Sequence, residues 1–166
     1  MAGQLCVALD GSDRDWIMKT ARHLGPTVDW LKIGLEAFTA HGPDLVREIS
    51  ACQTSIFLDL KLHDIPTTVA RAAANCADLG ANLLNVHAGG GRAMMEAAAE
   101  AVRGVDPSGS TKVIAVTVLT SLDSASLEEL GWVHRSEDLV LKWAESALES
   151  GLDGVVASAR EAAGIR

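Results

Sequence analysis

The sequence predicts an α/β fold of the (β/α)8 TIM-barrel class, present as a single incomplete barrel domain over residues 1–166. Short apolar segments alternate with helical patterns at intervals of about 25–30 residues, which favours a parallel sheet with right-handed crossovers. Polar side chains also follow several of these segments, as they do where the loops of a barrel line an active site. These residues are Asp10, Lys32, Asp59, Lys61, His87, Thr120 and Ser121.

Six strands and the helices between them can be assigned in order. Continuous apolar runs, typical of strands buried in a parallel sheet, predict strands over 5–9, 30–33, 55–60, 82–86, 112–119 and 154–157. Apolar positions that share one helical face predict helices over 14–24, 36–49, 67–79 and 94–102, and more than one helical segment over 124–150. Asp13 is the expected N-cap of the first helix, and Gly25 and Pro26 are expected to end it.

The same alternation would also suit an open, doubly wound sheet. No G-x-G-x-x-G follows the first strand, which counts against a dinucleotide-binding domain of that kind. A closed barrel typically takes about 250 residues, and about six of its eight βα units can be assigned here. We therefore expect a truncated or internally deleted gene product that lacks the loops after strands seven and eight, where barrels usually bind phosphate.

Composition excludes several classes of function. The formal net charge is -8, so the chain has no basic footprint for nucleic acid. No apolar stretch approaches the ~20 residues needed to span a bilayer, and no secretory leader is recognisable, so we expect a cytoplasmic protein without a membrane partner. The three cysteines lack paired spacing and are expected to be reduced thiols, with Cys6 a small core residue.

The segment from Leu58 to Thr68, L-D-L-K-L-H-D-I-P-T-T, carries the strongest signal for chemistry. Asp59 and Lys61 lie two positions apart at a strand end, so their side chains are expected to point the same way, into the mouth of the barrel. Asp64 follows in the loop. Carboxylates beside a lysine favour its charged form, and such an ammonium group can deliver a proton to a developing carbanion.

This segment resembles the signature of the orotidine 5'-phosphate decarboxylase family, D-x-K-x-x-D-I-P-x-T. Further segments agree in order and spacing, so that the similarity extends from Leu5 to about Ala163: L-C-V-A-L-D, L-K-I-G, N-V-H-A-G-G-G, V-T-V-L-T-S and G-L-D-G-V-V-A-S-A. The resemblance implies decarboxylation of orotidine 5'-phosphate to UMP, the last step of de novo pyrimidine nucleotide biosynthesis. It also implies a homodimer that shares its active sites across the interface, and a reaction without metal or cofactor.

The resemblance implies a role for each matching residue. Lys61 would protonate C6 after carbon dioxide leaves, and Asp59 would lie against the substrate carboxylate and raise the ground-state energy. Lys32 would bind ribose and pair with Asp59, while Asp10 would hydrogen-bond a ribose hydroxyl. Ser121 would contact the pyrimidine ring. The residues expected to reach into the active site of the other subunit are Asp64, Ile65 and Thr68.

Two other functions remain open. One is a sugar-phosphate decarboxylase or aldolase of the same suprafamily, which shares D-x-K-x-x-D but uses magnesium; stimulation of the rate by added magnesium would favour it. The other is a catalytically inactive fragment that acts at most as a nucleotide-binding or dimerising remnant. His87 has no second ligand at metal spacing and is expected to have a structural, hydrogen-bonded role.

Overall fold

The sheet contains six parallel strands in the order β1-β2-β3-β4-β5-β6 and curls into a half-barrel. The computed structural model describes residues 3–132 and 135–166. Each strand pairs in parallel with the next strand along the chain, which confirms the predicted sheet. The strands are β1 (Cys6–Ala8), β2 (Trp30–Gly34), β3 (Ser55–Leu62), β4 (Leu83–His87), β5 (Lys112–Val116) and β6 (Gly154–Val156).

Helices cover one side of the sheet. Asp13 caps the first of them as predicted, because its side chain accepts a hydrogen bond from the Trp16 amide. Within residues 3–132 and 135–166, no helix combines the length and the apolar character that crossing a bilayer requires. The helices are α1 (Arg14–Leu24), α2 (Leu35–His41), α3 (Pro43–Ser50), α4 (Pro66–Asp78), α5 (Arg92–Val105), α6 (Ser124–Glu129), α7 (Ser136–Glu149) and α8 (Ala162–Ile165).

Several predicted bounds differ from those in the structure, two of them for a clear physical reason. The single helix expected over 36–49 is two helices, because Gly42 adopts a φ of 67° that a helix cannot contain and Pro43 starts the next helix at its first position. The strand expected over 112–119 ends at Val116. The remaining apolar residues of that run belong to the loop, where Val118 is buried against the residues of α6 and α7 instead of extending the sheet.

The two faces of the sheet differ in burial. On the outer face, Leu31, Ile33, Ile56 and Leu58 are 0% exposed, since the helices pack against them. Burial of an aliphatic side chain of this size stabilises the fold by about 1.5–3 kcal/mol. The core of the protein therefore lies between the sheet and its helices.

The face away from the helices is more open, and the prediction for Cys6 fails there. Ala8 pairs with Lys32 in the sheet, and alternate residues of a strand point to the same side, so Cys6 shares the inner face with Lys32. The Cys6 thiol is exposed on that face. A run of apolar residues predicts burial for both faces alike, whereas β1 buries mainly its outer face in the described part of the chain.

Candidate active site

Polar side chains converge at the carboxyl ends of four neighbouring strands. Asp10 follows β1, Lys32 lies in β2, Asp59 lies in β3 and Asn85 lies in β4. Because the strands are parallel, these ends meet at one edge of the sheet, as in the active sites of barrel enzymes. Gly34 shows how closely they approach: a Cβ at this position would lie 2.8 Å from Asp10 Oδ1 and 3.4 Å from Lys32 Nζ. Any larger residue would therefore displace these charged groups.

Asp59 holds two lysines at once. Its Oδ1 lies 2.6 Å from Lys61 Nζ, and its Oδ2 lies 3.1 Å from Lys32 Nζ. Asp10 contacts the same Lys32 ammonium from the other side, at 3.2 Å. Asp59 is only 7% exposed, whereas the two lysines open towards solvent. We call Lys32, Asp59 and Lys61 the charge cluster.

Asn85 is a member of this site that sequence reasoning missed. Its Nδ2 donates to Asp59 Oδ1 at 2.6 Å, and its Oδ1 accepts from the Lys61 amide at 2.8 Å. The residue is 1% exposed. One signal was available, namely a polar side chain in the middle of an otherwise apolar buried strand, where polar groups need hydrogen-bond partners.

Lys61 reaches Asp59 through an irregular strand end. The regular strand alternation on which the expectation for these two side chains relied is interrupted here, because Lys61 has a φ of 50° and the pairing of β3 with β4 shifts between Leu58 and Leu62. Left-handed backbone is uncommon for residues other than glycine and costs of order 1 kcal/mol or more. The side chains meet all the same, and the strained residue is the one with the candidate catalytic ammonium group.

The charges of the cluster are mutually stabilised. Burial alone would raise the pKa of Asp59, but hydrogen bonds from Lys61, Asn85 and Lys32 outweigh it and hold the pKa below its ordinary value. Burial would lower the pKa of Lys32, but its contacts with Asp59 and Asp10 outweigh that effect and raise the pKa. At neutral pH the site therefore presents a fixed carboxylate between two ammonium groups before any ligand binds.

The lowered pKa of Asp59 predicts a loss of stability in acid. The folded protein holds this carboxylate ionised more strongly than the unfolded chain does, so its contribution is present above the ordinary value of 3.8 and is lost as the pH falls through the lower folded pKa. We expect the free energy of unfolding, measured with urea between pH 7 and pH 2, to fall less steeply in Asp59→Asn than in the unsubstituted chain. Equal slopes would contradict the assignment of a stabilised carboxylate to Asp59.

The other predicted site residues lie apart from the charge cluster. Asp64 is exposed, and its carboxylate accepts a hydrogen bond from the amide of Ile65 at 2.6 Å. Ile65 is 66% exposed, although it is a large apolar residue. Thr68, in the first turn of α4, and Ser121, in the loop after β5, are also exposed. Among the described residues, no hydrogen bond or ion pair joins these four side chains to the cluster.

Two histidines flank the cluster on its other side. The ring centroids of His63 and His87 lie 5.2 Å apart, with an angle of 38° between the ring planes. Burial, followed by the charges of His63 and Lys61, lowers the pKa of His87, so its ring is neutral at neutral pH. His87 thus belongs to the surroundings of Lys61, and its ring lies beside that of His63, the residue before Asp64.

The fold and this site define an enzyme of the α/β-barrel class, with charged groups of alternating sign where the strands end. Comparison with known proteins identifies the kind of barrel. The model of the orotidine 5'-phosphate decarboxylase / HUMPS family matches residues 3–166. The chain belongs to this family, as the D-x-K-x-x-D-I-P segment predicted.

Curated relatives and a solved structure agree with this assignment. The chain is 47% identical to the orotidine 5'-phosphate decarboxylase of Nitrosococcus oceani over 98% of its own length and 69% of that protein. It is 51% identical to that of Halorhodospira halophila over 98% of its length and 68% of that protein. The crystal structure of the Lactobacillus acidophilus enzyme matches with a TM-score of 0.88 and 34% identity, over 98% of this chain and 74% of that one. The chain thus spans about two thirds of the length of these curated relatives.

Proposed function

We propose that this chain decarboxylates orotidine 5'-phosphate to UMP, the last step of de novo pyrimidine nucleotide biosynthesis, without metal or cofactor. The observation that carries the proposal is the charge cluster, in which Asp59 is held between Lys32 and Lys61. The names of the relatives and the membership of the family support the same substrate. A fixed array of charges suits a reaction in which negative charge moves from a carboxylate to a ring carbon.

In the proposed reaction, Asp59 and Lys61 act on successive steps, the loss of carbon dioxide and the protonation of C6. The substrate carboxylate would lie against Asp59, and two like charges in a water-poor site raise the energy of the bound substrate. When the bond between C6 and the carboxylate carbon breaks, carbon dioxide leaves and the electron pair stays on C6. Lys61 Nζ would then transfer a proton to C6, which gives UMP and a neutral amine that regains its proton from solvent. Lys32 would stay charged throughout, because Asp59 and Asp10 both contact it.

Binding of the substrate would use groups around the cluster. Asp10 follows β1 and contacts Lys32, so that this pair can hydrogen-bond two hydroxyls of the ribose. Ser121 lies in the loop after β5, from which it would contact the pyrimidine ring. Phosphate sites of barrels usually lie in the loops after strands seven and eight, and binding of such a remote group contributes to the stability of the transition state. We propose that in a complete barrel the loops after strands seven and eight would bind the phosphate, whereas the sheet described here has six strands.

The direct test is the incubation of the purified chain with orotidine 5'-phosphate, with identification of the product by mass and of the rate by absorbance. We expect UMP, at a rate that neither added magnesium nor a chelator changes. Stimulation by magnesium would instead favour the sugar-phosphate branch of the suprafamily. Binding of UMP without any turnover would favour an inactive nucleotide-binding remnant.

We also propose that two subunits share each active site. Asp64 and Ile65 are exposed and do not contact the charge cluster of their own chain, so they are free to reach another subunit, and Thr68 lies in the first turn of the helix that follows them. In this arrangement each active site consists of the charge cluster of one chain and the loop with Asp64 and Ile65 of its partner.

Complementation between inactive variants tests the shared site. Lys61→Ala and Asp64→Ala would each abolish turnover alone, but a heterodimer of the two has one site with neither substitution. Co-refolding of equal amounts should restore about a quarter of the unsubstituted activity, since half of the dimers are mixed and each has one intact site. Activity that stays at zero in a mixture shown to contain heterodimers would contradict sharing.

Finally, the three free cysteines support a cytoplasmic location, where thiols stay reduced.

A further inference from the structure

Asn85 occupies an unusual position for an amide side chain. It lies in the centre of β4 between Leu84 and Val86, and all three residues are at most 1% exposed. A buried amide without partners destabilises the folded state, so a residue of this kind persists only where its hydrogen bonds offset that cost. Both of its polar atoms point across to β3, at the level of the charge cluster.

The two hydrogen bonds of Asn85 fix the orientation of its amide. The Lys61 amide can only donate, so the atom 2.8 Å from it must be the oxygen Oδ1. The ionised Asp59 carboxylate can only accept, so the atom 2.6 Å from its Oδ1 must be the nitrogen Nδ2. A flipped amide would lose both bonds, and a leucine of similar size would offer neither.

The backbone of β3 explains why this side chain is needed. The pairing of β3 with β4 passes from Leu58–Leu84 to Leu62–Val86, which is four steps along β3 against two along β4. The extra residues form a bulge opposite Asn85, and within it Lys61 takes its left-handed conformation with a φ of 50°. The Lys61 amide donates to the Asn85 side chain, which therefore replaces the missing partner in the strand.

We propose that Asn85 is a positioning residue for the decarboxylation: it holds the backbone of Lys61 in the bulge and fixes the Asp59 carboxylate, so that Oδ1 faces Lys61 and Oδ2 faces Lys32. The geometric part of this inference stands on contacts within the chain, and its kinetic part rests on the proposed function. Asn85 itself does not take part in the transfer of the proton. It determines where the ammonium group and the carboxylate lie before the substrate arrives.

Asn82 offers a matched control at the other end of the same strand pair. Its Oδ1 accepts a hydrogen bond from the Ile56 amide at 2.9 Å, so it too joins the two strands through a β3 amide. It lies just before β4, far along the strand from the charge cluster, and it is partly buried. Asn82→Ala therefore removes a comparable link between side chain and backbone without a change in the surroundings of Asp59.

The test is an NMR titration of the Asp59 carboxyl carbon in the full chain, in Asn85→Ala and in Asn82→Ala. The groups that face Asp59 are the Cys6 thiol from β1, Lys32 from β2, Lys61 from β3 and Asn85 from β4. Loss of the Asn85 donor should raise the pKa of Asp59, and Asn82→Ala should leave it unchanged. The same titration curve for Asp59 in all three proteins would overturn the proposal.

A second measurement covers the case in which Asn85→Ala does not fold. In the unsubstituted chain, a scalar coupling across the hydrogen bond should connect the Lys61 amide nitrogen with the side-chain carbonyl carbon of Asn85. A coupling from Lys61 to a backbone carbonyl would instead show that Asn85 does not hold the bulge, and would overturn the proposal.

The kinetic constants of Asn85→Ala distinguish a positioning role of Asn85 from a role in stability alone. A small displacement of catalytic groups can cost on the order of 100-fold in rate, so we expect kcat of Asn85→Ala to fall by about that factor while KM changes by less than about threefold. Asn82→Ala should keep both constants. A normal kcat in folded Asn85→Ala would overturn the proposal. If the unsubstituted chain makes no UMP, the proposed function fails, whereas the titration still decides the role of Asn85.

Discussion

Replacement of Lys61 by alanine is expected to remove decarboxylation while the fold persists. The ammonium group of Lys61 lies 2.6 Å from Asp59 and is the proposed donor of the proton to C6. A positioned general acid typically contributes 10²–10⁴-fold, and Lys61 also neutralises the charge of the cluster, so we expect kcat to fall on the order of 10⁴-fold. The measurement is UMP formation under saturating substrate.

The fold should survive this substitution for a specific reason. Asp59 keeps its contacts with Lys32 and Asn85, so its buried carboxylate is not left without partners. Lys112→Ala is the matched control, since Lys112 lies in the same sheet but pairs with the exposed Asp153 at the opposite end. Its activity should equal that of the unsubstituted chain. Near-normal turnover in Lys61→Ala would refute the role given to Lys61.

Asp59→Asn is expected to affect both stability and activity. Three donors converge on the two carboxylate oxygens, and an amide has a single oxygen, so at least one donor would face an NH2 group. Two ammonium groups would also lose their shared counter-charge. Removal of one partner from a buried ion pair costs about 3–5 kcal/mol, and we expect about 3 kcal/mol because the lysines are partly exposed and Asp10 still contacts Lys32. Turnover should fall on the order of 10³-fold, since the preorganised charge is lost.

A surface carboxylate provides the control for Asp59. Asp44 pairs with Arg47 on the exposed side of α3, and its side chain is 79% exposed. Asp44→Asn should change the free energy of unfolding by no more than about 0.5 kcal/mol and should not change turnover. Urea unfolding at neutral pH measures the first quantity. If Asp59→Asn lowered the free energy of unfolding by as little as Asp44→Asn does, the charge cluster would contribute nothing to the stability of the fold.

The order of the strands and the main charged residues could be predicted because both depend on local sequence. Apolar runs at a regular interval determine a parallel sheet, and Lys32 and Asp59 follow directly from their places at strand ends. Burial could not be predicted in the same way. The run that contains Cys6 is apolar throughout, yet only one side of β1 meets the helices, and which side depends on how the whole sheet curls.

The features that were missed depend on contacts between distant segments. Asn85 contacts Asp59 only because β4 pairs with β3 across a bulge, and the register of two strands separated by a helix cannot be read from either strand alone. The bulge itself places an ordinary lysine in a left-handed conformation, for which no residue preference provides a signal. The break between α2 and α3 is different, because the sequence does contain a signal for it: glycine followed by proline, here Gly42 and Pro43, commonly ends one helix and begins another.

The most direct test compares this chain with a fusion of this chain to the part of the Halorhodospira halophila relative that it does not cover. Each protein is assayed, with and without Lys61→Ala, for UMP formation from orotidine 5'-phosphate. We expect turnover in the extended protein that Lys61→Ala abolishes, and equal or slower turnover, with the same dependence on Lys61, in the chain alone. A folded, extended protein that makes no UMP, or makes it equally well without Lys61, would contradict the assignment of the charge cluster as the site of decarboxylation.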